Sequence, residues 1–137
     1  MAGMSAEMLG ERQRVSRKQA AVEQIEMAIR LFASKDFACS ITLALAAEAQ
    51  MPKTDDPHVY GRLRAVLSKK VADEFNEVRD WLKHFNDDMP EEKDIFAFEV
   101  VIALIRATTK FYAVYKDTTP QFETFGAWAK NEGFGGR

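Results

Sequence analysis

Little in this chain offers a foothold for covalent or metal chemistry. Its 137 residues include one cysteine, two histidines, four prolines and seven glycines. Cys39 has no partner for an intrachain disulfide, and its place in an apolar helical pattern predicts a buried, reduced thiol. His58 and His84 lie far apart in sequence, and there is no His-Glu-x-x-His, no cysteine pair and no repeated Glu-x-x-His, so no metal is expected. Gly133, Gly135 and Gly136 are terminal, which leaves no glycine-rich loop to cradle a phosphate, and no cofactor is implied. A Ser/His/Asp arrangement on a strand-turn-helix elbow has no place in a chain that reads as helical throughout. The first ten residues lack the basic start and continuous apolar stretch of a signal peptide. No apolar run reaches the roughly 20 residues of a membrane span. A soluble cytoplasmic protein is the expectation. Charge of one sign is also missing: 19 Lys and Arg stand against 21 Asp and Glu. Any anion-binding surface must therefore be local.

What is present is an ordinary globular balance of 47% hydrophobic and 29% charged residues. It predicts a single all-α domain over residues 1–137, a bundle of five or six helices with loose ends at 1–10 and 132–137. Over residues 7–34, Met8, Val15, Val22, Ile25, Ile29 and Phe32 recur at helical spacing, which predicts one amphipathic helix. Glu11 and Lys18 fall on its apolar seam, so the first half should fray or pack against another chain. Arg12, Arg14, Arg17 and Lys18 form a basic patch there, read as a solvated helix start. Asp36 is placed to cap a second helix reaching Gln50, with Phe37, Ile41, Ala44, Leu45 and Ala49 inward. Its alanines and Ser40 would permit close approach to another helix.

Pro52 and Pro57 break the pattern, and Asp56 with Pro57 reads as the start of a helix carrying Val59, Leu63, Val66 and Leu67. The charged side chains from residue 57 to residue 72 are all basic, Arg62, Arg64, Lys69 and Lys70, which makes this the best local candidate for a phosphate-facing surface. The pattern leaves open whether the helix stops near Ala72, with Asp73 recapping, or runs on. Val71, Phe75, Val78, Leu82 and Phe85 then mark a core face. A loop with five acids occupies residues 86–94, and Asp94 is expected to cap the longest helix, ending near Lys116. That helix is apolar except for a stripe of Glu99, Arg106 and Lys110, and should lie at the centre of the bundle. Pro120 starts a last helix with Phe122, Phe125 and Trp128 on one face. Trp81 and Trp128 are read as packing residues, because no basic stripe surrounds either of them.

One stretch concentrates a cation, a carboxylate, an aromatic and an imidazole: Arg79-Asp80-Trp81-Leu82-Lys83-His84. It resembles the arginine, polar residue and histidine pattern of the HEPN superfamily (higher eukaryotes and prokaryotes nucleotide-binding). The aromatic-hydrophobic-Lys-His end, followed by Asn86-Asp87-Asp88, is similar to a group of small bacterial helical proteins, as is the segment at residues 40–47. The resemblance spans residues 22–90 and implies a HEPN-like helical fold. It further implies a homodimer that joins two such motifs across its interface, metal-independent RNA cleavage, and an antitoxin partner. By carry-over, Arg79 and His84 would be catalytic, with Asp80 in the polar position and Lys83 beside them for binding.

The chemistry is coherent. An imidazole titrating near neutrality can move the proton of a 2′-hydroxyl, and a guanidinium can hold phosphate oxygens through its planar fork. Asp80, four residues before His84, could orient the ring. Within one helix, however, Arg79 lies roughly 80° to one side of the apolar face and His84 roughly 140° to the other. Either the helix breaks near Lys83 or a second copy supplies the partner. The alternative is a non-catalytic helical dimerisation or protein-interaction module.

Overall fold

The computed structural model describes residues 3–56 and 67–134. Within them the chain is helical and contains no strand. A 3-10 turn at Ala6–Gly10 precedes five helices: α1 (Arg17–Ala33), α2 (Phe37–Gln50), α3 (Lys69–Lys83), α4 (Ala97–Tyr115) and α5 (Pro120–Asn131). The chain is thus an all-α bundle, as its periodicity implies, and no helix among the described residues is long and apolar enough to cross a membrane.

The expected helix over residues 7–34 begins only at Arg17, where the Ser16 hydroxyl accepts a hydrogen bond from the Gln19 amide at 3.0 Å. Upstream of that cap, Met8 and Val15 are 46% and 43% exposed, so there is too little burial to hold a helix through Gly10. At its other end α1 closes in a six-to-one turn. The Asp36 amide bonds to the Leu31 carbonyl, the Lys35 amide bonds to that of Phe32, and Lys35 takes the left-handed conformation at φ 66°. The Asp36 carboxylate accepts from the Ser34 hydroxyl at 2.8 Å, and makes no side-chain cap on α2.

Small residues set the α1/α2 contact. Ala21, Ala28, Ala44, Ala47 and Ser40 are all buried, and the Ser40 hydroxyl donates to the Ala28 carbonyl at 2.6 Å. The buried face of α2 runs through Ser40, Ile41, Ala44, Ala47 and Glu48. Ala49, expected inward, is exposed. Cys39, one residue off that face, is exposed as well, contrary to the expected buried thiol.

Helix α4 packs on α2, α1 and α5 and is buried at six consecutive positions, 99–104, the mark of a helix enclosed on most sides. Its start is not capped by Asp94. It begins at Ala97, and the Glu99 side chain reaches back to accept from the Phe96 amide at 2.9 Å. Helix α5 begins at the expected proline. Thr119 accepts from the Phe122 amide, and Phe122, Phe125 and Ala129 are buried, with the Phe122 ring edge-on to Phe111 at 5.3 Å. Trp128 stays 43% exposed, while its ring lies 5.6 Å from that of Phe32.

Helix α3 starts with Ser68 accepting from the Val71 amide, so the boundary falls at residue 68 rather than near Ala72. The expected helix around Val59, Leu63 and Val66 lies outside the described residues. Phe75 and Val78 are buried, and Val71 and Leu82 are half-buried. Phe85, expected on the same face, is 84% exposed because the helix has already ended.

Candidate functional site

The residues singled out by the sequence gather at the C-terminal end of α3. His84 is its C-cap, with extended backbone, and its amide donates to the Asp80 carbonyl at 2.9 Å. The helix therefore does break at Lys83, and the imidazole leaves helical register. Lys83, His84 and Phe85 all face solvent. The Asp80 carboxylate is turned to Arg79, accepting from Nε at 3.4 Å and from Nη2 at 3.5 Å. It does not hold the His84 ring, and no described residue makes a hydrogen bond to that ring. The guanidinium thus already has a counter-charge beside it, whereas the imidazole has no orienting acid among the described residues.

Behind this helix end the acidic loop folds back. The Trp81 indole donates to the Pro90 carbonyl at 2.8 Å, and Lys93 reaches Glu77 at 3.5 Å, which together fasten residues 90–93 alongside α3. Asn86 tightens the turn by accepting from the Asp88 amide at 2.9 Å. The result is an open groove of about 380 Å³ with Trp81, Met89 and Pro90 as apolar walls. Glu77, Asp80 and Asp88 stand around it against the single cation Lys93. The Asp88 carboxylate has no partner among the described residues.

The other basic candidates do not converge here. Lys69 and Lys70 sit in the first turn of α3, about 20 Å along the helix from His84. Lys69 is paired with Asp73 at 2.9 Å, and that hydrogen bond raises its pKa from the ordinary value. Arg62 and Arg64 lie outside the described residues. No group of three or more His, Cys, Asp or Glu is placed to hold a metal among the described residues.

A second polar cluster was not singled out from the sequence. Glu48 on α2 receives Arg106 of α4 through both carboxylate oxygens, at 3.0 to 3.2 Å. One turn on, the Lys110 ammonium donates to the Glu48 carbonyl at 2.7 Å and to that of Met51 at 3.2 Å. The Arg106 guanidinium also lies 5.5 Å from the centre of the Phe75 ring, which draws α3 onto the α2/α4 pair. This cluster is a tie between three helices with its donors turned to protein acceptors. The signal for it was available: Glu48 follows Ile41 by seven and Ala44 by four, which puts it on the buried face.

Glu99 is the most deeply buried acid, 1% exposed. Desolvation chiefly, and the negative charge of Glu74 to a lesser extent, raise its pKa above the ordinary 4.5, against the opposing effects of the Phe96 amide and Lys93. It serves the start of α4 and does not open onto the groove. Compared with protein-family models, curated proteins and solved structures, the chain matches none of them.

Proposed function

We propose that this chain is a HEPN-like helical module that acts by dimerising or recognising a protein partner, without cleaving RNA itself. The observation that carries the reading is the pairing of Arg79 with Asp80, whose carboxylate lines the groove together with Glu77 and Asp88. A phosphate approaching Arg79 would meet a guanidinium that already has the Asp80 carboxylate beside it, near Glu77, Asp88 and the other acids of the following loop. A side chain placed to stabilise a developing phosphorane would be expected to keep its fork open. The paired geometry suits contact with a cationic or mixed-charge protein surface instead.

One observation favours the second reading, a metal-independent endoribonuclease acting as a toxin or defence component alongside an antitoxin. His84 is exposed beyond a broken helix end and is free to meet a group from another subunit. Purified protein incubated with total RNA in EDTA separates the two. The module reading expects RNA to stay intact. Cleavage by the parent that disappears in both His84→Ala and Arg79→Ala would overturn it in favour of the nuclease.

A further inference from the structure

The groove behind the end of α3 joins a held apolar wall to carboxylates that are weakly engaged. The Trp81 indole N–H donates to the Pro90 carbonyl at 2.8 Å, so what Trp81 offers the groove is its ring, with Met89 and Pro90 beside it. Phe85, next in the chain to Asn86 of the groove lining, is 84% exposed and adds a second aromatic surface in water. At about 380 Å³ and open on one side, the groove takes the side chains of a passing segment rather than enclosing a whole molecule.

Its charge sets what that segment must carry. Between residues 77 and 94 the chain has seven carboxylates against the three cations Arg79, Lys83 and Lys93. Of the three carboxylates that line the groove, Glu77 meets Lys93 at 3.5 Å and Asp80 meets Arg79 at 3.4 Å, both with side chains more than half exposed. Exposed pairs of that kind contribute little in water, so either carboxylate can turn to a better donor at small cost. The Asp88 carboxylate has no partner among the described residues.

We infer that this groove binds a short basic segment of a partner protein, in which an arginine or lysine lies over the Trp81 ring and reaches Asp88 and Asp80, while a neighbouring apolar side chain covers Met89 and Phe85. Tryptophan is the best aromatic face for a cation, and a guanidinium fork matches a carboxylate through two parallel hydrogen bonds. The apolar neighbour gains the contact that a free amine would leave in water. The inference rests on the reading of the chain as a module that recognises a protein, and it names the chemistry of the partner.

The probe is a fluorescein-labelled peptide of alternating arginine and leucine, read by anisotropy against the full chain. In about 0.15 M salt, exposed charges farther apart than about 8 Å are largely screened, so diffuse attraction is suppressed. The peptide should saturate below about 1 mM. Asp88→Lys should weaken it roughly tenfold or more. Glu23→Lys, the same charge change at an exposed position of α1, should barely alter it. A peptide with glycine in place of leucine should bind roughly tenfold more weakly than the parent peptide. The chain has two tryptophans, so Trp128→Phe leaves Trp81 as the sole indole, and its emission should change as the peptide saturates. Residues 23, 88 and 128 are all exposed, so the variants should fold, which circular dichroism checks. No saturable binding, equal weakening by Asp88→Lys and Glu23→Lys, full binding of the glycine peptide, or saturation without a change in Trp81 emission would each overturn the inference. So would a single-stranded RNA oligonucleotide that binds more tightly than the peptide and changes the same emission. Failure of the peptide alone leaves the module reading in place, because that reading is decided by incubation with total RNA in EDTA.

Discussion

Glu99 shows how a single side chain can be fixed by its neighbours and leave a signature in pH. The carboxyl is withdrawn from water, and its proton is held more tightly in the folded chain than in the unfolded one. The folded state therefore binds more protons between the ordinary value of 4.5 and the raised one, so stability falls as pH rises across that window and levels off above it. Asp117 has the opposite sign. The hydrogen bond from Lys18 lowers its pKa below 3.8, so its contribution is present above that value and is lost on acidification. Comparing the chain with Glu99→Gln isolates the first effect, since glutamine keeps an oxygen to accept from the Phe96 amide. The difference in urea midpoint between the two should grow in favour of glutamine as pH is raised above 4.5. A difference that is flat with pH would show that burial does not raise the Glu99 pKa. At this scale the sequence named Glu99, Arg106 and Lys110 as a stripe on α4, but periodicity along one helix carries no information about the Glu48 carboxylate waiting on another. It also placed Asp80 beside His84, whereas the structure turns that carboxylate to its immediate neighbour Arg79.

At the scale of whole elements, helix ends decide where the functional groups point, and two of them use the same six-to-one closure with different residues. After α1 the left-handed position is Lys35, at φ 66°, while after α5 it is Gly133, at φ 95°, with the Phe134 amide bonded to the Ala129 carbonyl. A side chain in that conformation costs about 1 kcal/mol, which glycine avoids, although glycine also gains freedom in the unfolded chain. Lys35→Gly should accordingly stabilise the fold by about 0.5–1 kcal/mol, and Gly133→Ala should destabilise it by a similar amount. Chemical denaturation reads both, and a loss of stability on Lys35→Gly would contradict the argument. The positions of α2, α4 and α5 were legible because their apolar residues repeat over many turns, and Pro120 marks an unmistakable start. The starts of α1, α3 and α4 were not. Each is fixed by one local hydrogen bond, to the side chains of Ser16, Ser68 and Glu99 respectively, and several neighbouring residues could have served as well. The error at α3 mattered most for function. Extending the helical face through Phe85 buries a side chain that the structure leaves in water, right beside His84.

For the molecule as a whole, the helices are unequally held. The α1/α2 pair and α4 share the alanine-lined contact and the long enclosed face, whereas α3 buries only Phe75 and Val78 and leans on α2 through few neighbours. Its other attachments among the described residues include the half-buried Val71 and Leu82 against the core, the Phe75 ring against Arg106, the Trp81 indole to Pro90, and the exposed Lys93 to Glu77 pair, the last contributing little. Among the described helices, the end carrying Arg79 and His84 is therefore on the one easiest to detach. Hydrogen exchange should show α3 amides opening at a lower free energy than those of α1, α2 and α4. Phe75→Ala removes the largest anchor, and loss of a buried aromatic costs about 3–5 kcal/mol. If α3 opens as a separate unit, that loss falls on α3 amides alone, and α4 retains its protection together with most of the native circular dichroism. If Phe75→Ala lowers protection equally in every helix, α3 is integral to one cooperative core. The Arg79 to His84 surface would then be as rigid as the bundle beneath it.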